Sequence, residues 1–270
     1  MVFKDKTKLS VWERISDINW LRKLAIVVTL AALWQIYAIW LNNALMFPTF
    51  TATVNALISA FGNGELLERV LNSLKMLLIA YAIGAVLAIT LTILSISTRI
   101  GNDILEVLTA TLNPLAPVAL LPLALLWFGL GAPSIVFVLV HAVLWALTLN
   151  IHNGFAGVSQ TLRMVGRNYG LKGLRFVFLI LIPAALPSIL TGLKVSWAFG
   201  WRTLIAAELV FGVSSNSGGI GWFIFEKKNQ LDIDFVFAGL LTVIIIGILV
   251  ENVLFKTLEK RTVLKWGMKQ

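Results

Sequence analysis

The sequence predicts an all-α membrane protein of about six transmembrane helices, and three observations carry that expectation. Of 270 residues, 59% are hydrophobic and 13% are charged, against roughly 45–50% and about 25% in soluble domains. Several apolar stretches reach the roughly 20 residues that a hydrocarbon core about 30 Å thick requires. The basic residues gather on alternate connections between those stretches.

The spans follow in order. The first is expected over Leu24–Leu41, the second over about Leu74–Ser97 and the last over about Phe235–Phe255. Between them lie Ile104–Phe128, Ser134–Asn150 and Pro187–Val213. Lys4, Lys6, Lys8, Arg14, Arg22 and Lys23 precede the first run, as in a signal peptide. A cleaved leader, however, has a shorter apolar core ending in small residues. Trp34, Tyr37 and Trp40 stand here instead, so the run reads as an uncleaved span. Within residues 1–23, positions 9 to 20 place Leu9, Trp12 and Ile15 at helical spacing opposite Glu13, Arg14 and Asp17. That leader suits either the headgroup plane or a solvated helix.

With six spans both termini share a side. Placing that side in the cytoplasm leaves sixteen of the 22 basic residues inside, and only Arg69, Lys227 and Lys228 outside. The positive-inside rule therefore sets the orientation, and the net charge of +9 needs no nucleic-acid partner. Residues 256–270 are expected to form a cytoplasmic basic tail, and residues 24–255 the transmembrane domain.

After the first span, a short helix over about Ala52–Phe61 is expected to stop at Gly62-Asn63-Gly64, and Gly218, Gly219 and Gly221 read as a flexible outer loop. Pro114, Pro117 and Pro122 interrupt the third span. Proline frees backbone carbonyls, which lipid does not satisfy, so this segment belongs inside the bundle or beside water. A packing kink explains any single one of them equally well. The inner connection, residues 153–186, contains two helix-like stretches separated at Gly170, and Pro183 and Pro187 return the chain to the membrane. A basic, partly apolar hairpin there suits docking to a soluble partner.

Gly170 followed by Ile180, Leu181, Ile182 and Pro183 matches, at the same spacing, the cytoplasmic signature of importer permeases (E-A-A, three residues, Gly, nine residues, I-x-L-P). Around it stand LLPLALLWFGLG from Leu120, IPAALPSILTGLKVSW from Ile182 and WRTLIAAELVFG from Trp201, with SNSGGIGWFI around Asn216. On these residues the chain resembles the permeases of ATP-binding-cassette (ABC) importers over roughly residues 20 to 267, in the nitrate, sulfonate, taurine and bicarbonate branch. The resemblance implies the type I ABC importer (MetI-like) permease fold. It implies a homodimer with a cytoplasmic ATPase dimer, an extracytoplasmic binding protein, and alternating access driven by ATP. Coupling to the ATPase would involve Arg163, Met164, Val165, Gly166, Arg167, Tyr169, Gly170 and Pro183. Met164, Val165 and Gly166 replace the E-A-A residues, so the family's acidic contact is absent.

Ionisable residues inside a membrane usually face the bundle interior. Lys194, Arg202 and Glu208 fall within about 120° of arc on the fifth span, with Lys194 near enough to the inner end to snorkel. Arg202 suits attraction of an anionic cargo or part of a gate. It equally suits a salt bridge, to Glu208 or to a carboxylate such as Glu251 on another span. Trp197 and Trp201 are candidate path-lining residues beside it. His141 and His152, eleven residues apart, lack metal-pair spacing and suit interior hydrogen bonding. No cysteine is present for disulfides or thiolate sites, and no cofactor is expected.

GRNYGLKG at Gly166 has the wrong spacing for a phosphate-binding loop, and neither GxSxG nor HExxH occurs. ATP chemistry is therefore expected in a separate subunit. The remaining alternative is an ion-coupled secondary carrier, which would ordinarily show inverted repeats; none is evident.

Overall fold

In a computed structural model the chain is described over residues 19–211 and 218–264, and every element among the described residues is helical. Residues 1–18 of the expected leader and 265–270 of the tail lie outside them. The helices are α1 (Asn19–Leu41), α2 (Phe50–Gly62), α3 (Glu65–Ser97), α4 (Arg99–Leu112), α5 (Leu121–Phe128) and α6 (Ala132–Ala156). There follow α7 (Gln160–Asn168), α8 (Gly173–Ala184), α9 (Leu186–Phe211), α10 (Ile220–Asn229) and α11 (Ile233–Thr262).

Four of these, α1, α3, α6 and α11, are long and apolar enough to cross a membrane; counting each bent pair as one span raises the number to six. The expected third span is two helices, α4 and the Pro117–Phe128 segment, meeting at 86°. Here the prolines break the helix outright rather than kink it: α4 ends at Leu112, and Pro117 opens a single 3₁₀ turn before α5. The second bend, 78°, separates α8 from α9.

The bundle is organised by α6, which packs against α3 on one side and α9 on the other. In lipid there is no hydrophobic force to drive helices together, so close van der Waals approach must do it, and small residues permit that approach. On α9, Gly192, Ser196 and Gly200 recur every four residues, and all are buried. A Cβ at Gly192 would lie 2.7 Å from Asn150 Cβ of α6, and one at Gly200 3.0 Å from Leu77 Cδ1 of α3. The buried face of α3 follows the same helical spacing through Val70, Ser73, Leu77, Ala80, Gly84 and Ala88. Its other faces carry exposed leucine and isoleucine, the composition of a lipid boundary. By contrast α1 lies at the edge, tied to the connection before α2 by the indole of Trp34, which donates to the Pro48 carbonyl at 2.9 Å.

Candidate functional site

At one end of the bundle the chain leaves α6 and forms the hairpin of α7 and α8. Ser159 caps α7, its hydroxyl accepting from the Leu162 amide at 3.4 Å. Arg163 turns back onto α6: its Nη2 donates to the Phe155 carbonyl at 2.5 Å and its Nε to Val158 at 3.1 Å. The Phe155 carbonyl belongs to the last turn of α6 and Val158 lies two residues past its end, where a cation meets the negative pole of the helix. Arg163 therefore fastens α7 to the bundle.

Gly166 is the buried residue of α7, and a Cβ there would lie 2.8 Å from Phe176 Cε2 and 3.0 Å from Ile180 Cγ1. A glycine at this place lets α7 lie directly on α8. Gly170 then ends the helix. Its φ is +73°, its amide donates to the Arg167 carbonyl and the Leu171 amide to Gly166. This pair of bonds is the Schellman stop, which needs a left-handed residue. Beyond it, α8 widens into a π turn over Val177–Leu181, immediately before Pro183. The Ile182 amide bonds to Val177, five residues back, a register that absorbs the amide proline lacks. With Arg163 and Gly166 so engaged, α7 presents Leu162, Met164, Val165 and Tyr169 outward, Tyr169 being 82% exposed, with Arg167 exposed beside them.

On α9 the three ionisable residues lie on one arc of the helix but in different surroundings. Lys194 and Arg202 are exposed, whereas Glu208 is only 2% exposed. Arg202 lies over the Phe199 ring, 5.1 Å from its centroid, and its Nε donates to the Ala198 carbonyl of its own helix. No carboxylate among the described residues pairs with it. Glu251 pairs instead with Lys194, at 2.7 Å. The Trp201 indole is buried and donates to the Val243 carbonyl of α11 at 3.3 Å. Trp197 is half-buried, edge-on to Tyr81 and Phe255.

Glu208 holds the opposite end together. Its Oε2 accepts from the Gly221 amide at 2.7 Å, and the Ser73 hydroxyl of α3 donates to the carboxylate at 2.8 Å from Oε1. Ser73 Oγ in turn accepts the Ile220 amide at 2.8 Å. Gly219 leaves no room: a Cβ there would stand 2.1 Å from Glu208 Oε1. The glycines expected to be flexible are thus packed and buried at 218, 219 and 221. Arg69 completes this junction, donating to the Gly218 carbonyl and pairing with Glu226 at 3.3 Å.

His141 corrects another expectation, because neither ring nitrogen has a hydrogen-bond partner among the described residues, although the Leu112 backbone stands close to the ring. Ser73 was not singled out by sequence, and Glu251 was expected as a partner of Arg202 rather than of Lys194. A serine inside a span was the available signal. Among the described residues no three His, Asp or Glu come together as a metal site.

A multi-pass bundle with broken spans, a basic helical hairpin clipped to one end and a cation on an exposed membrane-level face has the make-up of a transport subunit. Residues 84–263 match the family described as binding-protein-dependent transport system inner membrane component. The chain belongs to that family, the permeases of ABC importers, and its all-α bundle is the type I importer permease fold. A putative ABC transporter permease protein of Methanocaldococcus jannaschii is 30% identical over 234 residues, 85% of this chain and 86% of the relative. A putative aliphatic sulfonates transport permease protein of Escherichia coli is 29% identical over 92% of this chain and 94% of its own length. A nitrate import permease protein of Synechocystis is 29% identical, covering 86% of each. In this family ATP hydrolysis lies in a separate subunit and cargo comes from a binding protein.

Proposed function

We propose that this chain, as a homodimer, forms the path by which a small oxyanion of the sulfonate, taurine or nitrate class enters the cytoplasm. A pair of cytoplasmic ATPases docks on α7 of the two copies. Nucleotide-driven movement of α7 passes through Arg163 and Gly166 into α6 and α8, and the path alternates the side to which it opens. Both termini and the hairpin lie in the cytoplasm; the Glu208 junction lies outside, where the binding protein delivers cargo. Arg202 faces the path with Trp197 near it, while Glu208 and Trp201 brace the helices behind them.

The observation that carries the anionic cargo is Arg202, a permanent cation at membrane depth on an exposed face, with no ion-pair partner among the described residues. The sulfonate and nitrate permeases among its relatives support the same charge. The docking surface rests on the exposed apolar patch of α7, set among Arg167, Lys172 and Arg175.

The test is co-purification followed by transport. In mild detergent the chain is expected to bring down an ATPase in equal amount, together with or separately from a binding protein. Reconstituted with both, it is expected to accumulate ethanesulfonate, taurine or nitrate only when ATP is supplied. Uptake by the chain alone, driven by an ion gradient, would instead make it a secondary carrier.

A further inference from the structure

Two cavities border the same groove between α6 and α9. The larger, about 500 Å³, is lined by Asn150, Asn153, Ser188, Thr191 and Lys194, with Lys256 and Glu259 also bordering it. The smaller, about 240 Å³, is lined by His141, Trp145, Asn150, Val195 and Phe199 among others. Asn150 belongs to both, and Phe199 carries the guanidinium of Arg202 over its ring. Lys194 and Arg202 stand eight residues apart on one exposed face of α9, about 12 Å along the helix. The two cavities meet at Asn150, with Lys194 lining the one toward the α7 end and Arg202 reaching the other only through the Phe199 ring.

The two cations differ in one respect. Arg202 has no carboxylate partner among the described residues, whereas Lys194 is held at 2.7 Å by Glu251 of α11. Both members of that pair remain about half exposed, at 48% and 55%. Such charges facing lipid would be costly, so a water-filled cavity is the environment that tolerates them. A carboxylate also offers Lys194 what an oxyanion cargo offers, two oxygens sharing one negative charge. A lone lysine in that cavity would bind such an anion well and release it slowly, and conduction needs sites that are weak enough to leave.

We infer that the Asn150–Lys194 cavity is a second, inner station for the oxyanion, and that Glu251 is its built-in competitor, exchanging with cargo on Lys194 so that cargo departs toward the α7 end. This rests on the anionic-cargo reading of Arg202 and extends it to a site with a different job. Arg202 admits the anion; the Lys194–Glu251 pair releases it. The neighbouring Lys256 is occupied by Asn252, one turn back on its own helix.

The inference is tested in vesicles carrying the complete complex with ATP inside, taking up labelled ethanesulfonate against unlabelled ethanesulfonate preloaded inside. The readout is the internal concentration that halves uptake. Glu251→Gln is expected to lower it about five-fold, the scale of one partly exposed ion pair, and Lys194→Gln to raise it by a similar factor. Asn150→Asp, close in shape and remote from neither cavity, is expected to raise it as well. Internal inhibition unchanged in all three variants overturns the inner station. So does a pattern in which both single substitutions only lower the melting temperature and Lys194→Glu combined with Glu251→Lys restores wild-type inhibition, for that is a brace. Failure of the wild-type complex to take up ethanesulfonate, taurine or nitrate at all sinks the anionic reading itself, a result separate from these.

Discussion

Glu208 of α9 and Ser73 of α3 stand 135 residues apart in the chain, and their side chains hydrogen-bond at 2.8 Å inside the bundle. Together they receive the amides of Ile220 and Gly221, so that one carboxylate and one hydroxyl fix the start of α10 against two spans. Buried polar groups of this kind contribute most by being fully satisfied. Removing one member strands the others.

That arrangement gives the first prediction. Ser73→Ala leaves the Ile220 amide and one carboxylate oxygen short of a partner, a loss of about 1–3 kcal/mol. Thermal unfolding in detergent should fall by several degrees, and Glu208→Ala should fall further. Gly219→Ala should be the most damaging of the three, since its methyl would overlap Glu208 Oε1. Wild-type melting temperatures for all three would remove the junction from the stability of the fold.

How much of this was legible in advance differs by residue. The stop at Gly170 was readable because helix chemistry within five residues determines it. The span interruption at Pro114 and Pro117 was readable too, but its 86° angle was not, since tertiary packing sets the angle once the helix is broken. Spacing on α9 placed Lys194, Arg202 and Glu208 on one arc and still did not reveal that Glu208 alone is buried. A helical wheel fixes relative directions; which direction points inward depends on where α3 and α6 lie. The partners of Glu208 and of Lys194 come from distant segments, Ser73 and Glu251, and no local pattern announces such pairs. Gly219 and Gly221 illustrate the same limit. Glycines that look permissive in sequence are here the places where a side chain would collide.

Gly170 separates backbone strain from contact. A Cβ at this position meets nothing within 4 Å, so bulk alone is no obstacle. Its φ of +73° is the obstacle, worth about 1–2 kcal/mol for an ordinary residue. Gly170→Val should therefore loosen the α7–α8 turn and uncouple ATP hydrolysis from uptake, whereas Gly170→Asn, which tolerates the left-handed region, should retain most coupling. The ratio of anion transported to ATP hydrolysed is the measurement. Equal ratios in both variants and wild type would sink the proposed transmission through this turn.

The exposed patch on α7 makes a complementary prediction about assembly. Met164→Glu and Tyr169→Ala alter side chains that touch little of their own subunit, at 55% and 82% exposure. Both should leave the stability of the isolated permease within about 0.5 kcal/mol of wild type. Recovery of the ATPase in a pull-down should nevertheless drop. Gly166→Leu should do the reverse of this separation, failing in both assays, because its side chain would strike Phe176 and part α7 from α8. An ATPase yield unaffected by Met164→Glu and Tyr169→Ala would move the docking surface elsewhere.

Arg202 offers the most direct test of cargo charge. Among the described residues its guanidinium engages only the Phe199 ring and a carbonyl of its own helix, so Arg202→Leu removes a cation without leaving any described carboxylate unpaired. Breaking a buried ion pair would cost about 3–5 kcal/mol; no such loss applies here, and the complex should assemble and melt as the wild type does. Uptake of ethanesulfonate and nitrate should be abolished. Arg202→Lys keeps the charge but loses the planar fork and its stacking, so it should transport with weakened apparent affinity. If Arg202→Leu instead destabilised the isolated subunit while the assembled complex still carried anions, the arginine would be serving the packing of its own subunit, and the cation that selects cargo would have to be sought at Lys194.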